Sequence, residues 1–176
     1  MKAIPVTLSS IPLLLVALSA CAMAPPAASL ADAKSLVQLV RNEAGARIAA
    51  GTTAELAVVD DVSEACDPDD SEGRERRWTS TSLVTLDPAV GDSLESIYGD
   101  LIDSFSANGW SEVSYGGRGA VSLRKPESDA SLEFVADSGD TDANVPATIT
   151  VTISSGCVQT AGAESDEVAT LEKAGS

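Results

Sequence analysis

The sequence contains no histidine, and only 3% of its residues are aromatic. Without histidine, a Ser–His–Asp triad, a Cys–His pair and a histidine-ligated zinc site are all excluded. Scarce aromatic side chains disfavour a surface that stacks bases or sugars. The 11 basic residues are outnumbered by 27 acidic ones, and the net charge of −16 disfavours contact with nucleic-acid phosphates. We therefore expect no nucleic-acid partner and no cofactor.

An apolar run occupies residues 4–18, after the positive charge of Lys2. It is too short to cross a bilayer of about 30 Å as a helix. It leads into Leu18-Ser19-Ala20-Cys21, which resembles a bacterial lipobox. This resemblance implies a signal peptide over residues 1–20, a diacylglycerol on the Cys21 sulfur, and cleavage that leaves Cys21 as the first residue. The alternative is an ordinary secretory signal in which the cysteine is incidental.

Lipidation of Cys21 predicts a protein anchored to the extracytoplasmic face of the cell membrane. Two or three acyl chains anchor stably, whereas a single chain binds reversibly. Removal of residues 1–20 takes away one base and no acid, so the net charge changes from −16 to −17 and an anionic lipid surface repels the domain. Residues 21–32 are small and contain proline, and we interpret them as a tether.

Hydrophobic periodicity predicts one domain over residues 33–158, with two helices and six strands. The stripe from Leu94 to Phe105 predicts the clearest helix, and DAKSLVQLVRNEAGARIAAG predicts the other. The segment ATITVTISSGC alternates apolar residues with threonine, which predicts a strand with one buried and one solvent-facing side. Short connections between consecutive strands favour antiparallel pairing.

These elements predict an α+β fold, a two-layer sandwich in which two helices pack on one face of an antiparallel sheet. The other face is expected to stay open to solvent, in agreement with its threonines. Residues 159–176 are small and acidic, and we expect them to form a disordered tail.

Two cysteines, Cys66 and Cys157, remain if Cys21 carries lipid. Two thiols in one small exported domain usually pair as a disulfide. A metal site or a free nucleophile are the alternatives, but each usually needs partners such as histidine that this chain lacks. The cysteine count therefore predicts a Cys66–Cys157 bridge.

An acidic segment, DPDDSEG, follows Cys66 and suggests a calcium loop. An EF-hand frame fails there, because its sixth position is Glu72 instead of glycine and its twelfth is Trp78 instead of glutamate. A looser cation site stays open as an alternative to a solvated acidic loop, and its ligands would be Asp67, Asp69, Asp70 and Glu72. The basic cluster RERRW comes next, and we expect it to pair with nearby acids at the surface, the alternative being a bound anion or lipid headgroup.

Together these features resemble the actinobacterial lipoproteins of the LppA type. The resemblance is carried by the lipobox at Cys21, the helix after a short tether, Cys66 in an acidic loop, Gly109-Trp110 after the second helix, and the terminal TITVTISSGC. It implies a small exported α+β domain with a Cys66–Cys157 pair. It implies no catalytic residues.

The leading functional hypothesis is a lipid-anchored envelope protein that is not an enzyme and acts by binding or structural interaction. The open sheet face is the expected contact surface. Two alternatives come from other classes: a surface hydrolase that uses paired carboxylates, and an acidic calcium-binding module.

Overall fold

The structure is a computed structural model that describes residues 29–52, 54, 56–70, 72–87, 93–116, 119–140 and 144–174. The predicted signal peptide, the predicted lipidation site Cys21 and the first part of the predicted tether lie outside the described residues.

The described residues form three helices and a seven-stranded antiparallel sheet, so the predicted α+β class is confirmed. In chain order the elements are α1 (Leu30–Gly51), β1 (Leu56–Ala65), β2 (Glu75–Thr85), α2 (Leu94–Ser106), β3 (Ser111–Gly116), β4 (Ala120–Lys125), β5 (Ala130–Asp137), β6 (Thr148–Ser154), β7 (Val158–Gln159) and α3 (Asp166–Lys173). The strand order is β1-β2-β6-β5-β4-β3, and the short β7 also pairs with β2. Strand β6 therefore joins the β1–β2 hairpin to the β3–β4–β5 meander.

Helix α1 begins at Leu30, so its first three residues overlap the end of the predicted tether. The Ser29 hydroxyl accepts a hydrogen bond from the Asp32 amide (3.1 Å), which satisfies a donor of the first helical turn. The helix then buries one apolar stripe against the sheet, formed by Leu30, Ala33, Val37, Val40, Ala44 and Ile48. Residues 30–32, which were predicted as tether, therefore belong to the helix, because Ser29 is the N-cap and the chain after it is helical.

Helix α2 follows its predicted stripe, with Ile97, Leu101 and Phe105 buried. The Phe105 ring meets the Trp110 ring edge-on, with centroids 5.7 Å apart, and lies 5.8 Å from Phe134 of β5. These aromatic contacts bring the end of α2 onto the centre of the sheet.

Helix α3 and β7 correct the prediction of a disordered tail over residues 159–176, as far as residue 174, where the description of this segment ends. Strand β7 pairs with the start of β2, and α3 packs beside β1 with Val168 only 3% exposed. The Lys34 ammonium of α1 also donates a hydrogen bond to the Leu171 carbonyl of α3. The composition of this segment does not predict the helix, because its contacts with the rest of the domain are mostly polar. Three helices, instead of the predicted two, therefore cover one sheet face.

The edge strands β1 and β3 each carry a β-bulge. The register shifts between Val58 and Asp60 in β1, and between Glu112 and Ser114 in β3. Bulges twist an edge away from regular pairing and so discourage sheet-to-sheet aggregation. Both edges of the sheet are therefore irregular, whereas the pairing across its broad face is regular.

Candidate functional site

The two faces of the sheet differ sharply in what covers them. On β6, Ile149, Val151 and Ile153 are fully buried under the helices, whereas Thr148, Thr150 and Thr152 alternate with them and are half-exposed. The same period of two runs through β4 and β5. We call the helix-free side the open face, and the predicted solvent-facing threonine side is confirmed.

Side chains on the open face line up in rows across five strands, as the register shows. The central polar row holds Asp60, Thr81, Thr152, Glu133 and Ser122. The next row is less polar and holds Ala57, Leu83, Thr150, Val135 and Ala120. Neighbouring strands lie about 4.8 Å apart and alternate residues about 6.8 Å apart, so the rows form a regular grid. We call them the hydroxyl row and the apolar row.

Hydrogen bonds and charges fix the rim of the open face. The Thr79 hydroxyl donates to Glu64 Oε2 and also shares a hydrogen bond with the Ser154 hydroxyl, both at 3.1 Å. Glu64 Oε2 lies 3.5 Å from Arg77 Nε, in a pair whose side chains are both more than 40% exposed. The rim therefore consists of exposed charged and polar side chains, and the apolar row lies in the interior of the grid.

The chemistry available to the open face is that of a contact surface. The apolar row offers methyl groups, with Val135 39% exposed, and the hydroxyl row offers donors and acceptors beside it. A core with methyl groups inside a polar rim is the usual composition of a protein–protein interface. The arrangement therefore suits a flat partner.

Adjacent residues of β6 provide a matched test of the two faces. We expect Val151→Thr to lower the free energy of unfolding by about 1–3 kcal/mol, because it buries a hydroxyl in an apolar environment. The reverse change next to it, Thr152→Val, is expected to stay within about 0.5 kcal/mol of wild type or to stabilise slightly, because the site faces solvent and valine favours strands. Urea unfolding of both variants measures this difference. Equal losses would contradict the assignment of the faces.

A polar layer lies beneath the helices, at the opposite side of β1 and β2. Asp61, with its side chain 6% exposed, pairs with Arg41 of α1 at 3.1 Å. Its other oxygen accepts a hydrogen bond from Trp78 Nε1 at 2.5 Å. The Arg41 guanidinium also donates to the Ser80 hydroxyl at 3.3 Å. Helix α1 is therefore fixed to the sheet by directional contacts as well as by its apolar stripe.

The predicted disulfide is present and joins Cys66 to Cys157, with their Cα atoms 6.2 Å apart. Ala65 and Val158, the neighbours of these cysteines, pair with Arg76 from opposite sides. The bridge therefore ties together the two strands that flank the start of β2.

The acidic loop uses its carboxylates on its own backbone. Asp70 accepts hydrogen bonds from the amides of Glu72 and Arg74, both at 3.0 Å, and Asp67 accepts one from the Asp69 amide at 2.9 Å. The Glu72 carboxylate pairs with Arg74 at 2.6 Å. Within the part of the chain that the structure describes, no three acidic or cysteine side chains come together as a metal-ligand group. The four predicted ligands thus lie in one loop without converging.

Backbone hydrogen bonds from Arg74 and Glu72 lower the pKa of Asp70 below its ordinary value of 3.8. A lowered folded-state pKa stabilises the loop above the ordinary value, and this stability is lost as the pH falls through the folded pKa. We expect wild type to lose more stability than Asp70→Asn as the pH falls below about 3.8. Urea unfolding at several pH values measures the difference, with Asp69→Asn as the control. Parallel curves for wild type and Asp70→Asn would contradict this role.

Two of the three arginines in the basic cluster form the expected ion pairs with acids, and the third is buried. Arg74 and Arg77 form exposed pairs with nearby acids, as predicted. Arg76 is only 7% exposed, and it donates hydrogen bonds to the Ser63 hydroxyl (2.7 and 2.9 Å) and the Ser63 carbonyl (2.8 Å). The alternation of side chains along β2 could have predicted this burial, because Arg76 and Trp78 are two residues apart and so lie on the same, covered face.

Comparison of the sequence with protein-family models, with curated proteins and with solved structures found no match. Among the described residues, none of the helices combines the length and the hydrophobicity needed to cross a bilayer.

Proposed function

We propose that this protein is a lipid-anchored binding module at the extracytoplasmic face of the membrane, and that it contacts a protein partner through the open face. The observation that carries the proposal is the grid of half-exposed side chains, which pairs an apolar row with a hydroxyl row on the one broad face that no described helix covers. The proposed role is contact rather than catalysis.

The charge of the open face limits which charge the partner's contact surface can carry. The rim and hydroxyl row carry more acids than bases: Asp60, Glu64, Glu133 and Asp137 against Arg77 and Arg124. The whole chain is also strongly acidic. Like charges across an interface lower both its affinity and its association rate. We therefore propose a partner whose contact surface is flat and neutral to basic.

Site-specific photo-crosslinking in intact cells tests the contact. A photoreactive amino acid is placed at Thr152, in the hydroxyl row, and as a control at Asn42, on the exposed side of α1. We expect a discrete crosslinked product from position 152 and none from position 42. Adding Thr81→Arg, next to Thr152 on β2, should remove that product because it places a bulky charge in the row.

The captured protein is then purified and tested against the purified domain. We expect it to bind the wild-type domain and to lose at least about tenfold in affinity for the Thr81→Arg variant, a loss of about 1.4 kcal/mol. Products of equal yield from positions 152 and 42, or binding that is insensitive to Thr81→Arg, would contradict the proposed contact face.

The anchor has its own test at Cys21. We expect intact-mass analysis of membrane-derived protein to show a chain that starts at Cys21 and carries acyl chains. Cys21→Ser should prevent acylation, so that the protein leaves the membrane fraction, because no sulfur is present to carry the lipid. Asn42→Ser, an exposed change on α1, is the control and should stay in the membrane fraction. A Cys21→Ser protein that is still cleaved at the same bond and is retained in the membrane fraction without acyl chains would refute the anchor.

A further inference from the structure

The last turn of α3 places a carboxylate against the edge strand β1. Glu172 Oε1 accepts a hydrogen bond from the Ser63 hydroxyl at 3.0 Å and one from the Ser63 amide at 3.3 Å. Ser63 itself is only 7% exposed. An edge strand carries backbone donors without a strand partner, and here a side-chain carboxylate satisfies one of them. The acceptor thus comes from a segment 109 residues away.

The buried guanidinium of Arg76 orients the Ser63 hydroxyl so that its proton can be donated to an anion. Arg76 donates to the Ser63 oxygen from both Nε and one terminal nitrogen, at 2.9 and 2.7 Å. These two bonds use the acceptor capacity of the hydroxyl, so its single proton is left for Glu172. Hydrogen bonds in such a chain polarise one another, and a nearby positive charge makes the hydroxyl a stronger donor. We call Ser63 and Arg76 together the Ser63 pocket.

The remaining attachment of α3 is small. Val168 is its one buried residue among those described, and Leu171 is half-buried. The Lys34 ammonium lies 4.6 Å from the centre of the Trp78 ring and holds the Leu171 carbonyl. The helix has eight residues, fewer than the 12–15 or so that an isolated helix needs in water. It therefore keeps its helical form only while these contacts hold it.

From this geometry we propose that the Ser63 pocket is a binding site for a peptide carboxylate, and that α3 is its exchangeable cover. In the closed chain the ligand is Glu172. When α3 undocks, an acidic side chain or the C-terminal carboxylate of another polypeptide binds to the same two donors of Ser63. The pocket lies on the helix-covered side of β1, so this proposal is independent of the open face and of its partner.

Chemical rescue in the full-length chain tests the pocket, with acetate as the probe. Glu172→Ala removes the chain's own carboxylate, and Glu167→Ala removes an exposed acid from the same helix as the matched control. Hydrogen exchange and the NMR shift of the Ser63 amide are followed during a sodium acetate titration, with sodium chloride at equal ionic strength as the reference. In Glu172→Ala without acetate, we expect the Ser63 amide to exchange at least about tenfold faster than in wild type.

Acetate should then slow this exchange and return the Ser63 amide shift toward its wild-type value. The effect should saturate, with a midpoint on the order of 10–100 mM, as suits a ligand of four heavy atoms. Wild type and Glu167→Ala should not respond, because Glu172 already fills the pocket. Glu172→Ala combined with Ser63→Ala should not respond either, as judged by the amides of neighbouring β1 residues.

Two outcomes would overturn the proposal. One is a Glu172→Ala protein whose Ser63 amide ignores acetate, and the other is an equal response in Glu167→Ala, which would mean that acetate binds nonspecifically. The amides of β5 and β6 report whether the sheet is intact in each variant. If Glu172→Ala is unfolded, Glu172→Ser repeats the titration with a shorter side chain that carries no carboxylate, and the same two outcomes apply.

Discussion

Replacement of both Cys66 and Cys157 by serine is expected to lower the free energy of unfolding by about 3–5 kcal/mol. The bridge closes a loop across a sequence separation of 91 residues, and the entropy that it removes from the unfolded chain grows with the length of that loop. It also holds β7 against β2, so its loss should loosen the segment that leads into α3. Urea unfolding of the oxidised wild type and of the double serine variant measures the difference.

Reduction provides the control for this prediction. A thiol reductant should destabilise wild type by about the same amount and leave the double serine variant unchanged, since that variant has no bridge to lose. Thiol titration of the denatured, unreduced and processed protein should find no free thiol. Two free thiols, or a double variant as stable as the oxidised wild type, would contradict a structural bridge.

Asp61→Ala is expected to cost about 3–5 kcal/mol of folding stability. The change removes the carboxylate that contacts both the Arg41 guanidinium and Trp78 Nε1. It leaves the indole N–H without this acceptor, and it leaves the Arg41 charge without its carboxylate partner, although Arg41 keeps its hydrogen bond to Ser80. The penalty for such a stranded charge exceeds the modest net value of the intact pair. Asp61→Asn keeps an acceptor for the indole and should lose less, about 1–2 kcal/mol.

The neighbouring residue is the matched control for Asp61. Asp60 is exposed on the same strand, and Asp60→Ala should stay within about 0.5 kcal/mol of wild type although it removes the same charge. Urea unfolding of the three variants at one pH compares them directly. If Asp61→Ala costs no more than Asp60→Ala, the polar layer beneath α1 does not stabilise the fold.

Local patterns predicted the parts of the molecule that depend on neighbouring residues. The alternation of isoleucine and valine with threonine in β6 predicted which side chains face the helices, because successive side chains in a strand point to opposite faces. The stripe of α2 predicted its buried residues for the analogous reason. The parity of the cysteines predicted the bridge once Cys21 was assigned to lipid.

Contacts between distant segments were not predictable in the same way. No local signal shows that β6 inserts between β2 and β5, since that order follows from packing of the whole sheet. Helix α3 has little apolar surface, and its docking depends on Ser63 and Lys34, which lie more than 100 residues earlier. The charge of Arg76 predicts an exposed position, whereas its place on the covered side of β2 buries it.

The contact between Lys34 and Leu171 has a practical consequence for experiments on this protein. It brings the beginning of α1 beside the end of α3, so the two ends of the folded domain lie close together. Adjacent ends are the usual condition for circular permutation, and a short linker should join them here with little strain. A reporter fused after α3 would sit next to the start of α1, so a reporter inserted at the β4–β5 turn is the better choice.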